Sequence, residues 1–276
     1  MGNIGQLKRT KVVIYAGLIL FSLYFIGPFL WVILTAFKTQ AEVNVYPPQV
    51  LPSEWRWSNF TDAWNSQPFT TYLLNSVVIT VFTTIGQVIS SSLVAYGFAR
   101  YDFKFKNVLF MLLLSSMMLP WDVTMIPQYM LFNEIGWINT LKPLIIPGML
   151  GSAYYVFLLR QFLMNFPEDI ANAAKIDGAN DFQIYAKIFL PIMRAPLILI
   201  AILNILTVWN DYLGPLIFLQ DRSKYTLALG LASFQGVHGN NTIGIMAITI
   251  LMMIPPILIF LFAQKYIIEG LEGSIK

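Results

Sequence analysis

The 276-residue sequence contains no cysteine and a single histidine, His238, and both scarcities limit its chemistry. Without cysteine the chain forms no disulfide, no thiol redox centre and no cysteine-ligated metal site. The Gly-x-x-x-x-Gly-Lys-[Ser/Thr] pattern of a P-loop is absent too, so we expect no ATP to bind this chain through such a loop. The sequence therefore lacks a nucleophile–base or metal set for catalysis and predicts a protein that is not an enzyme and has no cofactor or metal site.

Charged residues are equally scarce. They make up 11% of the chain and hydrophobic residues 57%, against about 25% and about 45–50% in soluble proteins. The net charge is only +3, and no block of lysine and arginine is long enough to indicate nucleic-acid binding. A chain this apolar cannot hide its surface in one soluble core, which predicts an integral protein of the lipid bilayer with no nucleic-acid partner.

Six apolar runs are long enough to be membrane spans, since a helical span needs about 20 such residues. They lie near residues 12–37, 71–98, 107–131, 141–164, 195–219 and 241–265. The first is roughly twice as long as a signal-peptide core of about 7–15 residues, which favours a span. Pro120, Asp122 and Pro127 interrupt the third, and we expect that region to face protein or a cavity because freed backbone groups need partners. The predicted fold class is an all-α integral membrane protein with six transmembrane helices.

Lysine and arginine predict the orientation of these spans, because cytoplasmic segments are richer in both. With both termini in the cytoplasm, the inner segments hold twelve basic residues: Lys8, Arg9, Lys11, Arg100, Lys104, Lys106, Arg160, Lys175, Lys187, Arg194, Lys265 and Lys276. The outer segments then hold five: Lys38, Arg56, Lys142, Arg222 and Lys224. This count places both termini and residues 165–194 on the cytoplasmic side.

Residues 165–194 form a polar island between two apolar runs, and their pattern predicts two short helices. Pro167 suits a first helical position, and the acidic residues after it favour the positive end of a helix dipole. Gly178 is expected to end the first helix. Asp181 is expected to cap a second helix that stops at Leu190-Pro191. A helix–glycine–helix unit between two spans would fit a concave surface on a soluble partner protein.

The same island contains a family motif. It reads Glu-Ala-Ala, three residues, Gly, nine residues, Ile-x-Leu-Pro in the cytoplasmic loop of bacterial ABC importer permeases. The matching residues here are Ala173, Ala174, Gly178, Ile188, Leu190 and Pro191. Asn172 stands where the motif has Glu, which removes one charge that the partner would read. Residues 157–162 and 177–179 also resemble the carbohydrate, maltose-type branch of these permeases.

The resemblance implies a type I ABC importer transmembrane domain and a permease that imports a carbohydrate, of oligosaccharide type, across the bacterial plasma membrane by alternating access. It implies four kinds of partner: a second homologous permease in a heterodimer, an ATPase dimer that holds ATP and Mg²⁺, an extracytoplasmic sugar-binding protein and the sugar itself. Residues 1–70 would precede the importer core at 71–265, and 266–276 would be a cytoplasmic tail. The residues expected to dock the ATPase and anchor this docking loop are Glu168, Asp169, Asn172, Ala173, Ala174, Asp177, Gly178, Ile188, Leu190 and Pro191.

Three other stretches have open interpretations. The series Trp209, Asn210, Asp211 and Tyr212 could stack on and hydrogen-bond a sugar, or its polar side chains could pair with backbone groups and hold the helix shape. The proline- and tryptophan-rich residues 38–70 could pack at the membrane surface or contact an extracytoplasmic protein. By resemblance, the loop 221–240 would reach toward the sugar-binding protein.

A secondary transporter driven by an ion gradient is the alternative function. It would require paired ionisable residues near the middle of the membrane or broken helices repeated in two halves. Asp211 stands nearly alone, and no internal repeat is visible.

Overall fold

The structure is a computed structural model that describes residues 2–237 and 241–272, with side chains for residues 11–233 and 241–265. In these ranges all regular secondary structure is helical. The α-helices are α1 (Gly2–Ala36), α2 (Gln40–Val43), α3 (Ser58–Asn65), α4 (Phe69–Arg100), α5 (Lys106–Ser116), α6 (Trp121–Glu134), α7 (Lys142–Ile145), α8 (Ala153–Met164), α9 (Asp169–Ile176), α10 (Asp181–Ile184), α11 (Leu190–Ile192), α12 (Arg194–Trp209), α13 (Leu213–Phe218), α14 (Leu227–Val237) and α15 (Thr242–Glu272).

Four helical segments are long and apolar enough to cross a membrane, and the number rises to six if each of two bent helix pairs is one span. The four are Lys11–Ala36, Phe69–Arg100, Lys142–Met164 and Thr242–Lys265. The bent pairs are Lys106–Ser116 with Trp121–Glu134 and Asp181–Ile192 with Arg194–Trp209. The chain divides into two compact units, Met1–Gln67 with Leu231–Met253 and Pro68–Gly230 with Ile254–Lys276.

The third predicted span is broken where the sequence indicated a break. Helix α5 ends at Ser116 and α6 begins at Trp121, with a bend of 95° between them. Pro120 stands at the break in an extended conformation, as expected of a residue with a fixed φ and no N–H to donate. Pro127, in contrast, lies inside α6.

The fourth predicted span is not one continuous helix. After α7, residues Pro147–Met149 form a 3-10 turn, and α8 begins only at Ala153. The buried side-chain amide of Gln87 on α4 bonds the backbone at this break. With its amide oriented to match its neighbours, its nitrogen donates to the carbonyl oxygens of Leu150 (2.7 Å) and Gly148 (2.9 Å), and its oxygen accepts from the Ser152 N–H (2.6 Å). A buried side chain thereby replaces helical hydrogen bonds, as a break within a membrane requires.

Helix α4 is the centre of the second unit. Its buried face is lined with small polar residues and one amide, Ser76, Thr80, Thr83, Thr84, Gln87, Ser91 and Ser92. Small side chains let neighbouring helices approach closely, and their polar atoms bond across the interface. Asn204 of α12 donates to Thr84 Oγ1 at 3.0 Å. These contacts make α4 the scaffold for the polar island.

Most of the predicted outer segment, residues 38–70, lies in the first unit, where it is held by aromatic packing and by one carboxylate. The Phe37 ring contacts Trp55 at a centroid distance of 5.1 Å and Trp57 at 4.8 Å. Glu42 accepts from the backbone N–H of Thr39 (2.6 Å), which completes the capping box of α2, and from the backbone N–H of Ser53 (2.7 Å). Aromatic rings of this segment thus pack against Phe37; packing at the membrane surface and contact with an extracytoplasmic protein both stay predictions.

Candidate functional site

Residues 169–184 form the two predicted short helices, α9 and α10, joined by a tight turn. We call these two helices, with the helical segment that continues from α10 to Met193, the helix pair. Gly178 follows the C-cap Asp177 with φ +84°, in the left-handed region that favours glycine. The N–H of Gly178 donates to Lys175 O at 3.0 Å, and the N–H of Ala179 donates to Ala174 O at 3.0 Å. This is a Schellman motif, and it confirms Gly178 as the residue that ends the first helix.

The cap of the second helix is Asn180, so the prediction that Asp181 caps it is wrong. Asn180 accepts from the Gln183 N–H at 2.8 Å, and Gln183 Oε1 accepts from the Asn180 N–H at 3.0 Å. Asp181 lies in the first turn instead, where its carboxylate is 3.4 Å from the Lys175 ammonium of α9. That ion pair joins the two helices, although both groups are about half exposed and the pair contributes little stability.

The predicted stop at Leu190-Pro191 is also wrong. A π-helical stretch, Tyr185–Phe189, continues from α10 into α11, and the chain turns only at Met193. Pro191 lies in the first turn of α11, where its missing N–H would have no intrahelical acceptor. The bend between Asp181–Ile192 and α12 is 75°.

The inner side of the helix pair is anchored in the core of the second unit. Its buried members are Ala174, Ile184, Tyr185, Phe189 and Met193, and they cluster with Ala95, Tyr96, Tyr155, Val156, Leu159, Leu163 and Ile200 of α4, α8 and α12. The hydroxyl oxygens of Tyr185 and Ser92 lie 2.7 Å apart. The Tyr96 ring contacts the rings of Tyr185 and Phe189 at 5.3 and 5.4 Å.

Arg100, the last residue of α4, connects three elements at this anchor. Its Nη2 donates to the carbonyl oxygens of Leu163 (2.7 Å) and Phe166 (3.1 Å), which lie at and just beyond the end of α8. Its guanidinium carbon is 4.5 Å from the centroid of the Phe189 ring in the π-helical stretch. The Arg100 guanidinium thus bonds carbonyl oxygens at the end of α8, where a helix leaves such groups without an intrahelical donor, and it packs against the Phe189 ring.

The outer side of the helix pair is exposed and includes apolar side chains. Ile176 is 86% exposed and Phe182 is 71% exposed, one on each side of the turn. Of the residues predicted to dock the ATPase, six are exposed: Glu168, Asp169, Asn172, Ala173, Asp177 and Gly178. Ala174 is buried in the core cluster, so it anchors the loop and the prediction that it docks is wrong. Of the residues predicted to anchor the loop, Ile188 and Leu190 are half-buried against the core cluster, whereas Pro191 is exposed. The sequence analysis missed Ile176, Phe182 and Arg100 as site residues; two apolar residues flanking a glycine in a polar island were the available signal.

The second candidate site is the stretch 209–212, which could contact a sugar, and it lies where the helix of the fifth predicted span ends. Helix α12 stops at Trp209, so the prediction of a continuous helix over 195–219 is wrong. Asn210 Nδ2 donates to Leu206 O at 2.8 Å, and Asp211 Oδ1 accepts from the Gly214 N–H at 3.1 Å. Both polar side chains therefore hold the backbone around the break, as the helix-shape interpretation expects.

The flanking aromatic residues of that stretch differ in exposure. Trp209 is 5% exposed and lines an apolar cavity of about 390 Å³ with residues of α4 and α15, whereas Tyr212 is 39% exposed. Contact of Trp209, Asn210, Asp211 or Tyr212 with a sugar stays a prediction.

The loop predicted over 221–240 is largely helical where it is described, with a 3-10 turn at Arg222–Lys224 followed by α14; His238 lies outside the described residues. Asn75 of α4 donates to the carbonyl oxygens of Ser223 (3.1 Å) and Tyr225 (3.0 Å). The start of this segment is therefore bonded to the first turns of α4.

The comparisons with known proteins agree with this geometry. A family model described as "Binding-protein-dependent transport system inner membrane component" matches residues 87–272, which include the whole helix pair. The arabinooligosaccharides transport system permease protein AraQ of Bacillus subtilis strain 168 is 32% identical over 278 residues, covering 98% of both chains. The melibiose/raffinose/stachyose import permease protein MelC of the same strain is 30% identical over 275 residues, again covering 98% of both.

Among solved structures, a chain in the crystal structure of a bacterial ABC transporter involved in the import of the acidic polysaccharide alginate is similar with a TM-score of 0.83. The identity is 22%, and the match covers 94% of this chain and 96% of that chain. This similarity shows the fold.

Proposed function

The chain belongs to the family of binding-protein-dependent transport system inner membrane components, and we propose that it is the permease subunit of an ATP-driven importer of oligosaccharides. The all-α, type I importer fold expected from the sequence is confirmed by the family match and by the structural similarity. AraQ and MelC are named for arabinooligosaccharides and for melibiose, raffinose and stachyose. These names support an oligosaccharide as the substrate, and the family description supports an inner membrane as the location.

The mechanism we propose is alternating access without catalysis by this chain. ATP and Mg²⁺ bind the partner ATPase subunits, and closure of those subunits pulls on the helix pair. The helix bundle then opens outward toward a sugar-loaded binding protein, and hydrolysis returns it. The residues of the helix pair transmit force, and none of them reacts.

The complete importer in this proposal has two permeases, an ATPase dimer and an extracytoplasmic sugar-binding protein. The second permease is a homologous but different chain, as the maltose-type resemblance implies. The positive-inside count supports a cytoplasmic position for the helix pair, where an ATPase can reach it.

One observation carries the proposal: the helix pair is anchored on one side and exposed on the other. Its inner residues are buried in the core formed with α4, α8 and α12, while Ile176 and Phe182 point away from that core with 86% and 71% exposure. Large exposed apolar side chains beside exposed polar ones indicate a surface that another protein covers. We call Ile176 and Phe182 the exposed tips of the helix pair. A force applied there would be passed to the spanning helices through the buried residues of the pair.

The test is to co-express the chain with candidate operon neighbours, purify it in detergent and identify what copurifies, for the native chain and for Gly178→Pro. Proline fixes φ near −65° and has no N–H, so it breaks the turn that Gly178 makes at φ +84°. Gly136→Pro is the matched control, because Gly136 has φ +68°, donates one backbone hydrogen bond and has no neighbour within 4 Å of an added Cβ. Gly178 shares all three properties.

We expect an ATPase and a second permease to copurify with the native chain and with Gly136→Pro. Gly178→Pro should retain the second permease and lose the ATPase. If the native chain purifies alone and transports sugar in proteoliposomes on an ion gradient without ATP, the importer proposal is wrong and a secondary transporter takes its place.

A further inference from the structure

A cavity of about 640 Å³ lies among the loop that follows α4, the start of α5 and Arg160 of α8. Residues 102–108 and Arg160 line it. The proposed transport function uses none of these residues. Three of the lining residues are cations, Lys104, Lys106 and Arg160, and one is an anion, Asp102. The cavity therefore carries a net positive charge.

The cations are held around the cavity by aromatic rings and short polar contacts. Arg160 donates from Nε to Phe98 O at 3.3 Å, and its guanidinium carbon is 4.2 Å from the Phe110 ring centroid. Lys106 Nζ is 3.2 Å from Asp102 Oδ1. The Lys106 side chain is only 19% exposed, whereas the Asp102 side chain is fully exposed to solvent. Water therefore screens the single carboxylate more than the lysine beside it.

The loop that carries these charges also exposes two aromatic rings. Phe105 has φ +65°, a left-handed conformation uncommon outside glycine, and its side chain is 63% exposed. Phe103 is 42% exposed. Lys104 lies between them in sequence, with its Nζ 5.1 Å from the Phe105 centroid. Exposed phenylalanine rings beside lysine suit a segment that lies at the boundary between lipid headgroups and acyl chains.

The position of residues 102–108 and Arg160 along the chain fits the boundary between lipid and water. The loop joins the candidate span Phe69–Arg100 to α5, the first half of a bent candidate span. Arg160 is four residues from the end of the span Lys142–Met164, which is about 6 Å of helix. The lysine and arginine count puts this side of the membrane in the cytoplasm, and the cytoplasmic leaflet carries the anionic lipids that basic pockets between spans bind.

We infer that this cavity binds the phosphate headgroup of an anionic phospholipid from the cytoplasmic leaflet. Lys104, Lys106 and Arg160 neutralise the phosphate, and Phe103 and Phe105 lie beside the headgroup and the upper acyl chain. The inference rests on membrane insertion and on the predicted orientation, and it does not depend on the transported substrate or on the ATPase.

The test uses the full-length chain, delipidated in detergent, with dioleoylphosphatidylglycerol and dioleoylphosphatidylcholine as probes. Binding is measured by native mass spectrometry and by the dissociation constant from a lipid titration. The variant is Lys104→Gln, because among the described residues Lys104 makes no hydrogen bond, so the change removes the charge and its contact with the Phe105 ring. Arg160 is left unchanged, since its bond to Phe98 O makes it part of the packing. The matched control is Lys142→Gln, which removes one exposed lysine at the opposite end of the span Lys142–Met164.

We expect phosphatidylglycerol to bind in preference to phosphatidylcholine, and Lys104→Gln to weaken phosphatidylglycerol binding about fivefold per charge removed. The double variant Lys104→Gln/Lys106→Gln should weaken it about 25-fold if the two charges act independently. Lys142→Gln should leave the affinity unchanged. The inference is overturned if both lipids bind equally, or if Lys104→Gln and Lys142→Gln behave alike. It is also overturned if inorganic phosphate displaces the lipid at equal concentration, since the site would then bind free phosphate.

Discussion

Replacing either exposed apolar tip of the helix pair with serine should weaken the attachment of the ATPase by a measurable and unequal amount. Fully burying an isoleucine or phenylalanine side chain contributes about 1.5–3 kcal/mol. Because Ile176 is 86% exposed in the chain alone, its burial by a partner would contribute about 1.3–2.6 kcal/mol. Phe182 is 71% exposed, which scales to about 1.1–2.1 kcal/mol. Since each 1.4 kcal/mol is tenfold in affinity, Ile176→Ser should cost about 8- to 70-fold and Phe182→Ser about 6- to 30-fold.

The assay is a titration of labelled ATPase subunit onto the purified permease pair, with the dissociation constant as the readout. The helix pair of the second permease stays intact, so attachment is expected to weaken rather than disappear. Val50→Ser is the control, because Val50 is 61% exposed and lies in the predicted outer segment. It should leave the affinity unchanged.

Two results would refute this reasoning. If Ile176→Ser and Phe182→Ser bind the ATPase as tightly as the native chain while unfolding at the same temperature, the exposed tips are not the docking surface. If Val50→Ser weakens attachment as much as they do, the loss is a general effect of surface polarity and does not identify a site.

Two further predictions concern packing and pH. An ideal Cβ on Gly86 would overlap Met149 Cβ, whereas one on Gly97 meets no described neighbour within 4 Å. Gly86→Ala should therefore lower the unfolding temperature in detergent, by an overpacking cost of about 1–3 kcal/mol, while Gly97→Ala in the same helix should raise it through helix propensity. Hydrogen bonds, first from the Ser53 side chain and then from backbone N–H groups, lower the pKa of Glu42 from 4.5 to about 2. The ordering of the outer segment that depends on this carboxylate should be complete above pH 4.5 and lost as the pH falls toward 2, so tryptophan fluorescence should change in that window in the native chain and not in Glu42→Gln.

The helix pair was predictable because its signals are local. A glycine placed after a run of small helix-forming residues indicates a left-handed C-cap, and Gly178 has that conformation. Its neighbours within five residues then supply every hydrogen bond of the turn. A feature decided by so few consecutive residues can be read from sequence.

The predictions of the second helix cap, of the helix stop and of the fifth span were wrong where two local sequence signals compete. Asn180 and Asp181 are both good caps, and only the reciprocal bond to Gln183 decides for Asn180. Pro191 reads as a helix stop, but it is equally suited to the first turn of a new helix, and the π-helical stretch before it provides that start. The apolar run at 195–219 reads as one span, but the side chains of Asn210 and Asp211 bond the backbone at its middle and divide it.

The remaining features are long-range and have no local signal. Arg100 bonds carbonyl oxygens 63 and 66 residues away, and Gln87 bonds backbone groups at the break between α7 and α8. Which side of the helix pair is buried likewise depends on where α4 and α8 lie. Sequence patterns predict that Ile176 and Phe182 stand among polar residues, and only the packing shows that they are the exposed tips.

The anchoring of the helix pair constrains how a pull from the ATPase would travel within the proposed mechanism. A local swing of the pair would expose Ile184 and Phe189, each 0% exposed, and would take the Phe189 ring away from Arg100. Exposing two large apolar side chains alone costs about 3–6 kcal/mol, so the pair and the ends of α4 and α8 would move together. Between α10 and α12 the backbone is irregular at two places, the π-helical stretch 185–189 and the bend at Met193. π-helical turns are frequent at functional sites. The bend is therefore where the motion of the anchored group would be converted into a change in the tilt of α12, the helix that leads to the polar break at Asn210.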